Sequence, residues 1–187
     1  MSRKILWLLL AISLVSQSSL LAQQAPDFML KDVSGKNHSL QEYLEQGPVL
    51  ISFWATWCVP CKKEMPGLIE IWNEHRDDGL TLVAIAVDTP RTQSKVKSYA
   101  RSQKWEMPVL LDTSGKMLRQ YQGSNPPMTV IVDQTGEIVF KHSGYAPGDE
   151  DTIAAAVAAL FVPSQPEVDP QPVVPATEVP SAVPEQE

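Results

Sequence analysis

Two apolar runs organise the chain, Val49-Leu50-Ile51-Ser52-Phe53-Trp54 and Leu80-Thr81-Leu82-Val83-Ala84-Ile85-Ala86-Val87. Each is strand-length and free of charge, so each reads as a strand buried on both faces. Between them Met65, Leu68, Ile69 and Trp72 recur at i, i+3, i+4 and i+7, the spacing of one apolar helix face. That helix is predicted to begin near Cys58 and run to about Arg76, where Asp77-Asp78-Gly79 supplies a stop. Two buried strands joined by a helix argue for a parallel β-α-β unit. Pro66 falls inside the helix, removes the hydrogen bond to the Lys62 carbonyl and predicts a kink there.

Upstream, Ser34-Gly35 is a turn pair between two short predicted strands. Ser39 followed by Glu42 has the spacing of a capping box, for a short helix through Glu45 that Gly47-Pro48 ends. Downstream, residues 91–103 read as a polar helix whose apolar side is Val96, Tyr99 and Ala100. A short strand at residues 108–111, the turn Thr113-Ser114-Gly115 and a short helix through Tyr121 follow. After Gly123-Ser124-Asn125-Pro126-Pro127, residues 128–132 and 137–141 flank the turn Asp133-Gln134-Thr135-Gly136 and form an antiparallel hairpin. Residues 144–148 are a loop, and residues 149–161 a final helix with Ile153, Val157 and Leu160 facing inward.

The ends differ from the middle. Arg3 and Lys4 precede an apolar run at residues 5–15 and then the smaller, more polar residues up to Ala22. That order is a secretory signal, with an uncleaved membrane anchor as the alternative for residues 1–22. Residues 163–187 hold seven prolines and five acids in 25 residues, with no aromatic, glycine or basic residue. Such a segment is expected to stay disordered, as a solvated spacer or as a ligand for a partner. One folded domain is left, at residues 23–162. The formal charge of −7 becomes −9 without Arg3 and Lys4, and −5 of that belongs to residues 163–187. This balance supports solubility and gives no argument for nucleic acid.

Cys58 and Cys61 are the only cysteines, and both sit where the first apolar run hands over to the helix. The first helical turn has unpaired N–H groups and a partial positive charge, which favour a thiolate. Only the thiolate is a good nucleophile. With two residues between them the pair can close and reopen a disulfide without large chain movement. So short a loop constrains the unfolded chain little, so a redox role explains the pair better than stapling. Three other readings exist. Cys58 and Cys61 with His38, His75 or His142 could hold Cu(I) or Zn(II) as a metal-binding module. A thiol peroxidase would need one of the cysteines and not its neighbour. An interaction protein would work through its proline-rich end. No metal site and no cofactor are expected.

Phe53-Trp54-Ala55-Thr56-Trp57-Cys58-x-Pro60-Cys61-Lys62-Lys63-Glu64-x-Pro66 resembles the thioredoxin superfamily, and within it the exported TlpA/ResA-like thiol–disulfide oxidoreductases. Pro127 opening a strand that ends in Val132-Asp133, with Gly136 beyond, is similar too, as is Ala25-Pro26-Asp27-Phe28. The likeness spans residues 25–161. It implies an α/β, thioredoxin-like fold: a central mixed β-sheet flanked by helices, with an N-terminal β-hairpin extension. It implies Cys58 as the exposed attacking cysteine, Cys61 as the resolving one, Pro127 as a cis-proline, and Glu64 as the acid behind the pair. Trp57, Val59, Pro60, Pro126 and Pro127 would face substrate. It further implies a reductant outside the cytoplasm (periplasmic, or on the outer face of the membrane), as in relatives serving cytochrome c maturation. Its partners would be disulfide-bearing proteins and a membrane thiol electron donor.

Two departures matter. Ser52 stands where thioredoxins carry a buried Asp, which shifts proton handling towards Glu64 or water. Pro126 has no backbone N–H to offer an extended peptide. Glu64 is expected to be partly buried and raised in pKa, against the alternative of a solvated first-turn acid favoured by the helix dipole.

Overall fold

The computed structural model describes residues 23–162 of the 187. The signal or anchor at residues 1–22 and the tail at residues 163–187 lie outside the described residues. Seven strands form one sheet: β1 (Met29–Asp32), β2 (Asn37–Ser39), β3 (Val49–Trp54), β4 (Thr81–Ala86), β5 (Val109–Leu111), β6 (Met128–Val132) and β7 (Ile138–Ser143). Their order is β2-β1-β5-β4-β3-β6-β7. β3, β4 and β5 run parallel, and the other pairs are antiparallel. The helices are α1 (Leu40–Leu44), α2 (Val59–His75), α3 (Ser94–Ser102), α4 (Lys116–Gln120) and α5 (Asp149–Ala159).

β3 is buried at every position because both of its faces are covered. Leu50 and Trp54 point into a core closed by α2, α3 and α5, through Met65, Leu68, Val96, Ile153 and Val157. Val49, Ile51 and Phe53 point into a second core closed by α1 and α4, through Leu40, Tyr43, Met117 and Tyr121. β3 and β4 start level because two glycines let the chain pass closely there. A Cβ on Gly47 would lie 2.5 Å from the Gly79 carbonyl oxygen, and φ is +153° and +104° at the two. Gly79 ends the single turn of 3₁₀-helix (Arg76–Asp78) that follows α2, at the predicted stop.

The capping box is present. Ser39 Oγ accepts from Glu42 N at 3.3 Å, and Glu42 Oε2 accepts from Ser39 N at 3.3 Å. The β1–β2 hairpin turns around Asp32, whose Oδ1 accepts from the Ser34 N–H, the Ser34 hydroxyl and the Lys36 N–H. Burial raises that carboxyl, but these bonds and His38 outweigh it and hold it well below the usual range. β1 also pairs with β5, which joins the hairpin extension to the main sheet.

Two boundaries and one helix face differ from the periodicity. α3 begins at Ser94, because residues 89–93 are held in turns where Thr92 N and Gln93 N both donate to Thr89 O. β7 runs to Ser143, since His142 and Ser143 pair with Thr129 and Met128. The buried face of α2 is Cys61, Glu64, Met65, Leu68 and Ile71, while Ile69 and Trp72 are half-buried. The stripe is therefore rotated from the predicted one, and a carboxylate lies inside it.

Candidate active site

The turn after β3 is set by a buried carboxylate. Asp88, just past the end of β4, accepts from Thr56 N at 2.8 Å and from the Thr56 hydroxyl at 2.5 Å. Cys58 N donates to Ala55 O at 3.1 Å and completes the turn. Cys58 is then the N-cap of α2, and its Sγ accepts from Cys61 N at 3.2 Å. Pro60 lies in the first helical turn, where its missing N–H costs nothing. Cys58 and Cys61 form a disulfide with Cα atoms 5.4 Å apart.

The pair is more enclosed than expected. Cys58 is 4% exposed and Cys61 1%, so the cysteine expected to attack is accessible only relative to its partner. The exposed surface belongs to its neighbours, Trp57 at 57% and Val59 at 61%, with Pro60 also exposed. Both cysteines sit in the first core with Trp54, whose ring meets Trp105 at 4.7 Å and Tyr99 at 5.5 Å. Lys62 Nζ lies 4.8 Å from the Tyr99 ring centroid. The Pro126–Pro127 peptide bond is cis. Because Phe53 pairs with Met128, Pro127 enters β6 at the end of the sheet where β3 hands over to the cysteines. Pro127 is buried and Pro126 half-buried.

Glu64 is 2% exposed, which removes the solvated alternative. Its Oε1 accepts from the Thr129 hydroxyl at 2.9 Å, and its Oε2 has no partner among the described residues. Desolvation pushes its pKa up to about 7, against the Thr129 bond and the nearby His142, which lower it. Asp149 and Glu150, from the first turn of α5, add to the rise. Ser52, Thr129 and His142 stand side by side across β3, β6 and β7. His142 in turn bonds Asp149 at 3.0 Å. Thr129, Asp88 and Asp149 escaped the sequence reading, which weighed His142 only as a metal ligand. The available signal was weak: one hydroxyl in the run Met128–Val132, and one acid closing the second apolar run.

The remaining histidines lie elsewhere: His38 bonds Asp32 and Tyr43, and His75 stacks on Phe161, its Nδ1 3.5 Å from Asp78 without a hydrogen bond. Among the described residues no cluster of three or more His, Cys, Asp or Glu could hold a metal ion.

Ser52 Oγ is fully buried and unpartnered among the described residues. Ser52→Ala is therefore expected to leave exchange unchanged and to stabilise the fold by up to about 1 kcal/mol, because an unsatisfied buried hydroxyl is lost. Parallel chemical denaturation and a small-disulfide assay check this; a large loss of rate would place Ser52 in the proton path.

Residues 21–141 match the AhpC/TSA family. The thiol-disulfide oxidoreductase ResA of Bacillus cereus is 31% identical over 124 residues, 66% of this chain and 70% of the relative. The thioredoxin-like protein YneN of Bacillus subtilis is 35% identical over 122 residues, 65% of this chain and 71% of the relative. The crystal structure of a proposed thiol:disulfide interchange protein DsbE from Chlorobium tepidum superposes with a TM-score of 0.68. It covers 74% of this chain and 96% of the other at 24% identity, a likeness that bears on the fold alone. With a sheet of this order, cysteines at this helix start and relatives of this kind, the chain belongs to the AhpC/TSA family and is a thioredoxin-like thiol–disulfide oxidoreductase.

Proposed function

We propose that the protein works outside the cytoplasm as a reductant of protein disulfides, with Cys58 attacking, Cys61 resolving and Glu64 carrying the proton. In the reduced protein the Cys58 thiolate attacks one sulfur of a substrate disulfide. A Cys58–substrate disulfide forms and one substrate thiolate leaves, taking a proton from the neutral Glu64 carboxyl. Glu64 then accepts the Cys61 proton. Cys61 then attacks Cys58 Sγ, the second substrate sulfur leaves as a thiolate that takes this proton back from Glu64, and the pair is oxidised as two electrons pass to the substrate. A membrane thiol donor returns those electrons. Trp57, Val59 and Pro60 offer the exposed surface around the pair, with Pro126 and Pro127 on its other side.

The observation that carries this reading is the buried Glu64, one helical turn beyond Cys61. A carboxylate there works against the helix N-terminus and disfavours a thiolate at either cysteine, and a reduced pair with less thiolate stabilisation has a lower reduction potential. Export is supported by Arg3, Lys4 and the apolar run after them. Among the described residues no helix is long and apolar enough to cross a membrane. Apocytochrome c, whose paired cysteines must stay reduced before haem attachment, is the substrate we place first.

Equilibration of the full-length protein against thiol redox buffers tests the direction. A midpoint at or below about −220 mV at pH 7 is expected, on the reducing side of the isomerase range. A value above about −180 mV would make the protein an isomerase or an oxidant.

A further inference from the structure

The chain is acidic, yet one stretch reverses the sign. Between Arg91 and Lys104 there are five basic residues (Arg91, Lys95, Lys97, Arg101, Lys104) and no acid, a third of the chain's 15 lysines and arginines. Most of that stretch is α3, and α3 walls two hollows. On one flank Lys97 and Arg101 share their hollow with Asp32 and Glu106, so charge there is balanced locally. The other flank opens beside the active site. It is a groove of about 650 Å³ between the turn before Cys58 and α3, lined by Thr56, Trp57, Ser94, Lys95, Ser98 and Tyr99 among others. That size lies within the roughly 300–1,000 Å³ of built ligand sites.

Three features of this groove bear on what it could hold. Its lining has no carboxylate. The adjacent Asp88 is fully buried and turned onto Thr56. Lys95 stands in its wall, and Lys62 Nζ lies 4.8 Å from the ring centroid of Tyr99, another lining residue. Trp57 ends the groove with 57% of its surface exposed, and Cys58 is the next residue. On the opposite side of the pair, Pro126 has no N–H with which to hold a peptide backbone.

We propose that this groove docks an acidic segment of the protein substrate next to its cysteines, with Lys95 and Lys62 supplying charge and Trp57 apolar contact. The proposal rests on the oxidoreductase reading above and adds the class of substrate it prefers. Hydroxyls at Ser94 and Ser98, one turn apart on α3, face the same groove and can donate to carboxylates or peptide carbonyls.

The test uses the full-length, pre-reduced protein in single turnovers with three disulfide peptides of equal length. Their cystine is flanked by Glu, Gln or Lys. The Glu peptide is expected to react about threefold to tenfold faster than the Gln peptide, and the Lys peptide slower still. The spread should narrow at about 0.5 M salt, and Lys95→Glu should level or invert it. Ratios between peptides decide the groove, so a general loss of rate in the variant does not confuse the result. The absolute rate on the Gln peptide judges the reductant reading separately. Equal rates on all three peptides, or a ranking that Lys95→Glu leaves intact, would overturn the proposal. So would a preference that emerges only after residues 163–187 are removed, because the groove's occupant would then be the chain's own acidic end.

Discussion

Cys61→Ala is expected to accumulate covalent complexes with substrate proteins, and Cys58→Ala to accumulate none. The asymmetry follows from where α2 begins. Cys58 is the N-cap, and its sulfur is placed to receive the Cys61 N–H at the positive end of the helix. That environment stabilises a thiolate at Cys58. Cys61 lies one turn further in and is 1% exposed, so its reach is limited to the sulfur beside it. Without Cys61 a mixed disulfide at Cys58 has no internal attacker and persists. Without Cys58 no mixed disulfide forms, and exchange should fall by roughly a thousandfold or more. Both variants lose the same short disulfide loop, worth about 2 kcal/mol in chain entropy, so a difference between them reports chemistry and not folding. Non-reducing gels of each variant incubated with extracytoplasmic extract are the measurement. Equal trapping by both would reverse or erase the assigned roles.

Glu64→Gln should slow exchange by about tenfold to a hundredfold and flatten its pH dependence near neutrality, with the fold retained. The side chain is enclosed, hydrogen-bonded through one oxygen to Thr129, and titrates near the working pH. Gln keeps the shape and the acceptor for Thr129 but carries no proton. The same substitution has a stability signature of determined sign. The carboxyl is raised from its ordinary 4.5 to about 7 in the folded protein. Between those values the folded state holds a proton that the unfolded state has lost, so stability falls as pH rises from about 4.5 and levels off above about 7. The full change is about 3 kcal/mol. Glu64→Gln should abolish that decline and be the more stable protein at pH 8. Urea melts at pH 5 and pH 8, beside rates across the same range, test both halves. A variant that matches the original in rate and in pH slope would leave Glu64 a buried residue without a part in exchange.

The Glu64 result also separates what the chain states locally from what its packing decides. The strand-helix-strand unit was legible because β3 and β4 are buried on both faces, and burial on both faces leaves a run with no polar alternation. The capping box, the glycine stop after α2 and the hairpin turn were legible because each is settled within a few residues. The cysteine pair was legible for the same reason: a strand end, a cap and a helix start are consecutive in the chain. The surroundings of that pair were not. Thr129 meets Glu64 from 65 residues away, and Asp88 meets Thr56 from 32. Periodicity records which side of a helix is apolar on average, and on that average Glu64 belonged at the edge. Only the stacking of α2 and the first turn of α5 over the row Ser52, Thr129, His142 encloses its carboxyl, because desolvation depends on every element packed around a group. The sign of charge beside Trp57 is a tertiary fact of the same kind. Net composition reads acidic, while the local field follows from which face of α3 is turned towards the cysteines.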